Sequence, residues 1–481
     1  MKIILLFPKW TLDYGIFAHF AKKASTWPPL NLAYLAALAE KMGHEVKIID
    51  GQVEDISLEK MINQVLDFKP DIIGITATTP FFHLACKLAK GIKKTNDNTP
   101  IVIGGPHVTV LREEAFEPCF DYAFIGEADD SWPKFLKEYE SGGNIHNVKG
   151  ILLRDKDGIK FTGPAQTIDD LDSLPLPSRH LLKMNKYKLG TLKGNLNFAT
   201  IIPTRGCPYK CIFCNTKIMG NRVRKRLPES VVSEIKSVKE CFNIKHFVLL
   251  ADNLTLDRAY ILKICDLIEK ENLNITFEGG TRANLVDDEL IAKLVRAGMI
   301  RLGFGLESAD ENIRQIIRKE VPLKYYDEAN RLTNKYGVET LSSCMIGLPG
   351  ETVETVCKTL AFLRNSREIK QANISIAIPY PGTELYEMAK NEKHGLKIVY
   401  NDFSKFLRYN CAVMQVGNLS PNDLILIQND AFVSIYFAPW RWLPMIKKSG
   451  IGSIFLMFSR LIKSIFKGKI NFITNKPRKK R

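Results

Sequence analysis

Thr204-Arg205-Gly206-Cys207-Pro208-Tyr209-Lys210-Cys211-Ile212-Phe213-Cys214-Asn215 sets three cysteines at C-x3-C-x2-C spacing directly behind the apolar run Ala199-Thr200-Ile201-Ile202-Pro203. That order gathers three soft thiolates on one loop beyond the C-terminal end of a predicted strand, and such thiolates select zinc or an iron–sulfur cluster. A closed structural zinc site wants four ligands, and no Cys or His follows at a short second spacing to complete one. An open coordination position is the simpler reading, with structural zinc or incidental thiols as its competitor.

Working outward from the loop, residues 199–203, 246–250, 275–278, 301–304, 339–346 and 373–377 read as strands with helical patterns between successive pairs. Six such β/α units predict a partial (β/α)6 TIM-type barrel over residues 197–387, and catalytic groups in barrels sit at the C-terminal ends of strands. Polar residues fall at those ends in order: Asp252 and Asn253, Glu278 and Arg282, Glu307 and Ser308, then Gly347-Leu348-Pro349-Gly350-Glu351 and Pro379-Tyr380-Pro381-Gly382-Thr383. Cys344 and Cys411 read as small core residues.

Upstream, residues 3–7, 46–49, 72–76, 101–104 and 122–125 read as strands, with helical patterns at 30–42, 58–68, 81–93 and 131–139 between them. This alternation predicts an open parallel α/β sheet of flavodoxin/Rossmann-like type over residues 1–141, with ligands bound beyond the carboxyl ends of its strands. Those ends carry Gly104-Gly105-Pro106-His107 and Gly126-Glu127. A glycine pair there lets a ligand approach the backbone, although a tight turn uses the same residues. No G-x-G-x-x-G fingerprint occurs, which disfavours nicotinamide and flavin. Residues 142–196 read as a linker: a hairpin turned at Asp157-Gly158, then the Pro-rich Leu174-Pro175-Leu176-Pro177.

The cysteine loop, with the aromatic Phe213 before its last cysteine, resembles the cluster loop of the radical S-adenosylmethionine (radical SAM) superfamily. Pro28-Pro29-Leu30-Asn31-Leu32-Ala33-Tyr34-Leu35-Ala36, Gly43-His44-Glu45-Val46, Gly104-Gly105-Pro106-His107 and Gly126-Glu127-Ala128 resemble, in that order, the cobalamin-binding domain of its cobalamin-dependent subgroup. The resemblance spans roughly residues 1–400. It implies that Cys207, Cys211 and Cys214 hold three irons of a [4Fe–4S] cluster whose fourth iron is chelated by SAM. It implies SAM contacts from Phe213, Asp252, Asn253, Arg282, Glu307, Ser308 and Gly347, and cobalamin contacts from Gly104, Gly105, Pro106, His107, Gly126 and Glu127. Ala251-Asp252-Asn253 departs from the family's Gly-Gly-Glu. The Asp-x-His-x-x-Gly motif that supplies cobalt with a histidine is missing, so His19, His44, His83 and His107 are not assigned as cobalt ligands.

The activity implied is C-methylation of an unactivated carbon in a small-molecule or lipid-like substrate, through a 5′-deoxyadenosyl radical and methylcobalamin, with a one-electron reductant protein as partner. The alternative is an anaerobic oxidative cyclase or another non-methylating radical SAM enzyme. A tRNA methylthiotransferase needs a second cysteine triplet, and the first domain has only Cys86 and Cys119. From a different class, a non-catalytic metal-stabilised membrane or RNA adaptor accounts for a zinc loop and a basic tail.

That tail carries most of the charge. Of a net +16 for the 481 residues, +12 lies in residues 441–481, which contain no acidic side chain. The C-terminal extension, residues 388–481, is expected to be mainly helical, with a helix at 420–438 and a basic amphipathic helix at 451–470. Such a helix suits an anionic membrane surface through residues 451–481, and Trp440 and Trp442 favour that interface. Packing of its apolar stripe on the barrel is the alternative, and nucleic acid is the least favoured partner. Scattered cysteines do not form a secreted disulfide framework, and a cluster-bearing loop needs a reducing compartment, so the expected location is cytoplasmic, at most peripheral at the inner face of the membrane. No apolar run reaches the length of a membrane span.

Overall fold

The computed structural model describes residues 1–11, 26–191, 194–220, 222–436, 438, 440–441, 459, 462, 469–471 and 476–477. Strands β1 (Lys2–Phe7), β2 (Glu45–Asp50), β3 (Ile72–Thr76), β4 (Ile101–Gly104) and β5 (Tyr122–Phe124) form a parallel sheet in the order 2-1-3-4-5. That is the flavodoxin-like doubly wound order, whose topological switch point lies between β1 and β3. Alternation along β1 explains the two layers. Ile3 and Leu5 face the helices Leu30–Lys41 and Ser131–Glu140, whereas Ile4 and Leu6 face Leu58–Phe68 and Phe82–Lys93. The apolar core on the Ile3 face continues without a break into the second domain.

The hairpin assigned from sequence to the linker, β6 (Ile151–Asp155) and β7 (Gly158–Phe161), extends this sheet antiparallel from β5. Without it the three-residue β5 would present a bare edge, and Leu152 and Leu153 would lose their burial. The linker beyond the Pro-rich segment is likewise fastened. Tyr187 donates to the buried Asp50 carboxylate at 2.7 Å, and the other Asp50 oxygen caps the N–H groups of Gln52 and Val53.

Burial lifts the Asp50 pKa from 3.8 to about 6, against those hydrogen bonds. The folded state therefore holds this proton to higher pH than the unfolded chain. Its contribution to stability is complete below pH 4 and is lost as pH rises through about 6, amounting to about 3 kcal/mol at 1.36 kcal/mol per unit. Asp50→Asn, which cannot ionise, should gain stability relative to the wild-type chain by up to that amount between pH 4 and 7. Denaturant melts of both at the two pH values measure it, and a constant difference would refute it.

Strand β8 (Lys188–Thr191) pairs antiparallel with β9 (Gly194–Ile201), which opens the second domain. A two-residue ladder follows, β10 (Thr204–Arg205) against β11 (Arg224–Lys225), closing the neck of the cysteine loop. Then come β12 (His246–Leu249), β13 (Thr276–Thr281), β14 (Met299–Glu307), β15 (Glu339–Ile346) and β16 (Gln371–Ile376). β9 and β12–β16 run parallel in sequence order, a half-barrel of six strands. Strand β13 runs three residues beyond its sequence-based end. Glu278 is therefore not at the mouth: it sits inside the sheet, ion-paired with Arg301 at 3.2 Å, and Arg301 reaches Glu339 at 2.9 Å.

The C-terminal extension satisfies the open edge of β16. Gln428, on the helix Pro421–Tyr436, donates to the carbonyls of Ile374 and Arg408, and Ile376 N–H reaches Arg408 O at 2.9 Å. The short strands β17 (Leu396–Ile398) and β18 (Met414–Val416) pair beside it. Arg441 does not belong to the solvated basic tail. It is 3% exposed and donates to the carbonyls of Leu363, Ser366, Ile369 and Ile435, capping the helix Val353–Asn365. The amphipathic stretch 451–470 lies outside the described residues except for Ser459, Ile462, Lys469 and Ile470. Ile470 is in a short strand rather than a helix, with its N–H bonded to Asp430. Among the described residues, no helix is long and apolar enough to cross a membrane.

Candidate active site

The cysteine loop leaves β10 through Gly206, whose φ is +93° and where a Cβ would stand 2.3 Å from the Arg222 carbonyl oxygen. Only glycine fits there. The Gly206 N–H donates to the Asp252 carboxylate, and Asn253 Nδ2 lies 3.4 Å from Cys207 Sγ. Both residues beyond β12 thus brace the loop itself. Across the mouth, Ile212 N–H bonds to Ile317 O, and Ile212 O accepts from Leu385 N–H. Cys211 Sγ lies 3.7 Å from Arg318 O, and Asn215 reaches Pro381 O. The loop is tied to the segments that follow β12, β14 and β16.

Cys207 is buried, and Cys211 and Cys214 are half-buried. Burial pushes the Cys211 thiol up, while the charges of Lys319 and Arg282 pull it down. Three thiols beside two cations are a donor set suited to thiolate ligation of iron. Among the described residues, no three Cys, His, Asp or Glu side chains are closed around a single-ion position. A cluster that takes one thiolate per iron needs its cysteines spread around it rather than packed about one ion.

Glu307 ends β14 in a left-handed conformation, φ +62°, at a register shift against β15. Its carboxylate is buried, 3.7 Å from Lys319 Nζ, and burial raises its pKa against that cation. Gly305 makes room for the pair, since a Cβ there would meet Glu307 Oε1 at 2.4 Å and Lys319 Nζ at 2.9 Å. Arg282 stacks on Tyr209 of the cysteine loop, 3.8 Å from the ring centroid, and its Nε is buried without a hydrogen-bond partner. Phe213 is half-buried against the core. The Gly347 N–H donates to Glu351, whose pKa burial raises to about 8. Ser308 turns inward instead, fully buried and hydrogen-bonded to the Thr359 hydroxyl and the Asp310 N–H.

The second feature is a cavity of about 430 Å³ beyond the carboxyl ends of β1, β3, β4 and β5. Gly104, Gly105, Pro106, Gly126 and Glu127 line it, as do Ile218, Met219 and Arg205 from the cysteine loop and its neck. At Gly105, φ is +109° and a Cβ would meet Ala77 O at 2.5 Å, so the close approach of the β3 and β4 ends requires glycine. An apolar cleft at the switch point with a few polar groups fits a large bound cofactor such as cobalamin. His107 does not line it. Its ring packs between Phe82 and Phe403 of the C-terminal extension, and burial lowers its pKa to about 4. Asp129, Arg205, Arg224, Lys319 and Tyr209 were missed from sequence. The i, i+2 spacing of Glu127 and Asp129 beyond a strand was the available signal for one of them; the others depend on a fold that joins distant segments.

Residues 201–363 match the Radical SAM superfamily and residues 18–136 the B12 binding domain. The chain is 32% identical over 418 residues to an uncharacterized methyltransferase of Pyrococcus horikoshii, covering 86% of this chain and 89% of that one. It is 28% identical to an anaerobic magnesium-protoporphyrin IX monomethyl ester cyclase of Rubrivivax gelatinosus, over 80% and 70% of the two chains. Its fold superposes with a TM-score of 0.68 on the radical SAM methyltransferase TsrM of Kitasatospora setae with cobalamin and a [4Fe–4S] cluster bound, at 16% identity, covering 87% of this chain and 85% of that one.

Proposed function

The chain belongs to the cobalamin-dependent branch of the radical SAM superfamily, with a [4Fe–4S] cluster, SAM and cobalamin as cofactors, and from that premise we propose that it methylates an unactivated carbon of a small or lipid-like molecule. The observation that carries this reading is the shared wall: Arg205, Ile218 and Met219 belong to the cysteine loop or its neck and also line the cavity of the first domain. When bound, these cofactors supply hydrogen-atom abstraction and a methyl donor.

The protein's own residues position and enclose. Cys207, Cys211 and Cys214 hold the cluster, while Asp252 and Asn253 fix the loop that carries them. Glu307, flanked by Lys319, accepts hydrogen bonds from the hydroxyl and ammonium groups of SAM, and the unpartnered Arg282 Nε donates to its carboxylate. Gly104, Gly105, Pro106 and Gly126 let cobalamin approach the backbone. Electrons come from a one-electron reductant protein.

Anaerobic turnover with methyl-labelled SAM in a lysate of the parent organism tests the reading: label should appear in a single product in a cobalamin-dependent manner. The similarity to the cyclase supports a second reading, oxidative ring closure. Productive turnover that leaves the product unlabelled would replace the first reading with the second.

A further inference from the structure

The ladder that closes the cysteine loop places Arg205 directly opposite Arg224. Like charges facing each other across strands repel, so this register needs a counter-charge. It comes from the other domain. Arg205 Nη1 and Arg224 Nη1 both donate to Glu127 Oε2, at 2.9 and 3.0 Å, and Arg224 Nη2 reaches Glu127 Oε1. Arg205 also grips both oxygens of Asp129, at 2.5 and 3.3 Å. Arg224 further donates to the carbonyls of Ile168 and Met219. All four side chains are nine-tenths or more buried, so two cations and two anions are closed on one another away from water. Breaking such a buried set strands an uncompensated charge, so it moves as a unit.

Its placement gives it a further role. Glu127, Asp129 and Arg205 line the cavity at the first domain's strand ends, and Arg205 lies over the Tyr34 ring there, 5.6 Å from its centroid. Only Gly206, which tolerates no other residue, separates Arg205 from Cys207. A side chain in the cavity wall is therefore joined by a rigid backbone to the first thiol of the cluster loop.

We propose that Glu127, held between Arg205 and Arg224, is a positioning residue that transmits occupancy of the cobalamin cavity to the geometry of the cysteine loop. Glu127 then acts through the two arginines on the surroundings of the cluster, and its effect is read at iron. Hydrogen bonding and solvent exposure around the thiolates set the cluster's potential. Filling the cavity should shift that potential, and the clamp should carry the shift.

The proposal rests on the assignment of the cavity to cobalamin, and the experiment separates the two. Full-length protein is reconstituted anaerobically with iron and sulfide, hydroxocobalamin is added or omitted before an excess of dithionite so that cobalt is reduced at the dithionite's expense, and the reduced cluster is followed by electron paramagnetic resonance and by potentiometric titration. The wild-type chain should bind hydroxocobalamin and change its cluster spectrum and midpoint potential on doing so. Glu127→Gln should bind it and show less than half of that change. Failure of the wild-type chain to bind hydroxocobalamin overturns the cavity assignment. Binding with no change at the cluster, or an equal change in Glu127→Gln, overturns the clamp. Should Glu127→Gln not fold, Arg224→Lys keeps the charge but not the fork of donors; a reduced change supports the clamp, and an undiminished one overturns it.

Discussion

Replacing any one of Cys207, Cys211 or Cys214 by Ala should abolish reductive cleavage of SAM by the anaerobically reconstituted protein. The expectation follows from how the loop is built. Its backbone is fixed by Asp252, Ile317 and Leu385 and its Asn215 side chain by the Pro381 carbonyl, none of which a cysteine substitution disturbs, so the fold should survive. Iron content, however, should fall in each variant, because the remaining thiolates cannot close the cluster. Circular dichroism and iron analysis separate the two effects. Full SAM cleavage by the reconstituted triple variant would end the assignment of the loop as the cluster site.

The second large effect is expected at Glu307. The Glu307→Gln side chain keeps the shape that Gly305 accommodates but loses the charge that faces Lys319. Hydrogen bonds to a charged group contribute about 1.5–3 kcal/mol, so SAM should bind roughly 10- to 100-fold more weakly at 1.4 kcal/mol per tenfold. Iron content should not change, since Glu307 lies on β14 and not on the cysteine loop. Equal SAM affinity in the variant and wild-type chains, measured by equilibrium dialysis, would remove Glu307 from the binding site.

Much of this was legible in the sequence because parallel strands buried on both faces leave short apolar runs between helical periods. All five strands of the first domain and all six of the half-barrel were found that way, with most boundaries within two residues. Where the reading failed, the cause was long-range. Glu278 reads as a strand end from sequence, yet pairing with β14 carries the strand through Gly279 and Gly280 to Thr281. The hairpin at Asp157-Gly158 was recognised, but sequence alone does not say which edge a hairpin joins. Arg441 looked like the first residue of a basic tail, because nothing local reveals that carbonyls of 363, 366 and 369 converge on it.

In the candidate site, the cysteine triplet, Glu307, Arg282 and the glycines of the cavity stood out as polar or conformationally special residues just beyond apolar runs. Lys319 and Arg224 did not, because a single cation in a charged neighbourhood carries no local signature. Their meaning comes from Glu307 and Glu127, which lie 12 and 97 positions away.

The C-terminal extension packs Phe403 against His107 of the first domain, bonds Tyr409 to Asn373 on β16, and seats Arg441 on the helix before that strand. A chain emerging from the ribosome completes the first sheet by residue 161 and the half-barrel by residue 376, and domains fold in the order in which they are made. Phe403 is made after both. Phe403 therefore reaches His107 on two halves already joined by the Glu127–Arg205–Arg224 set, so synthesis order makes the extension a late addition to an assembled pair of domains rather than the link that assembles them.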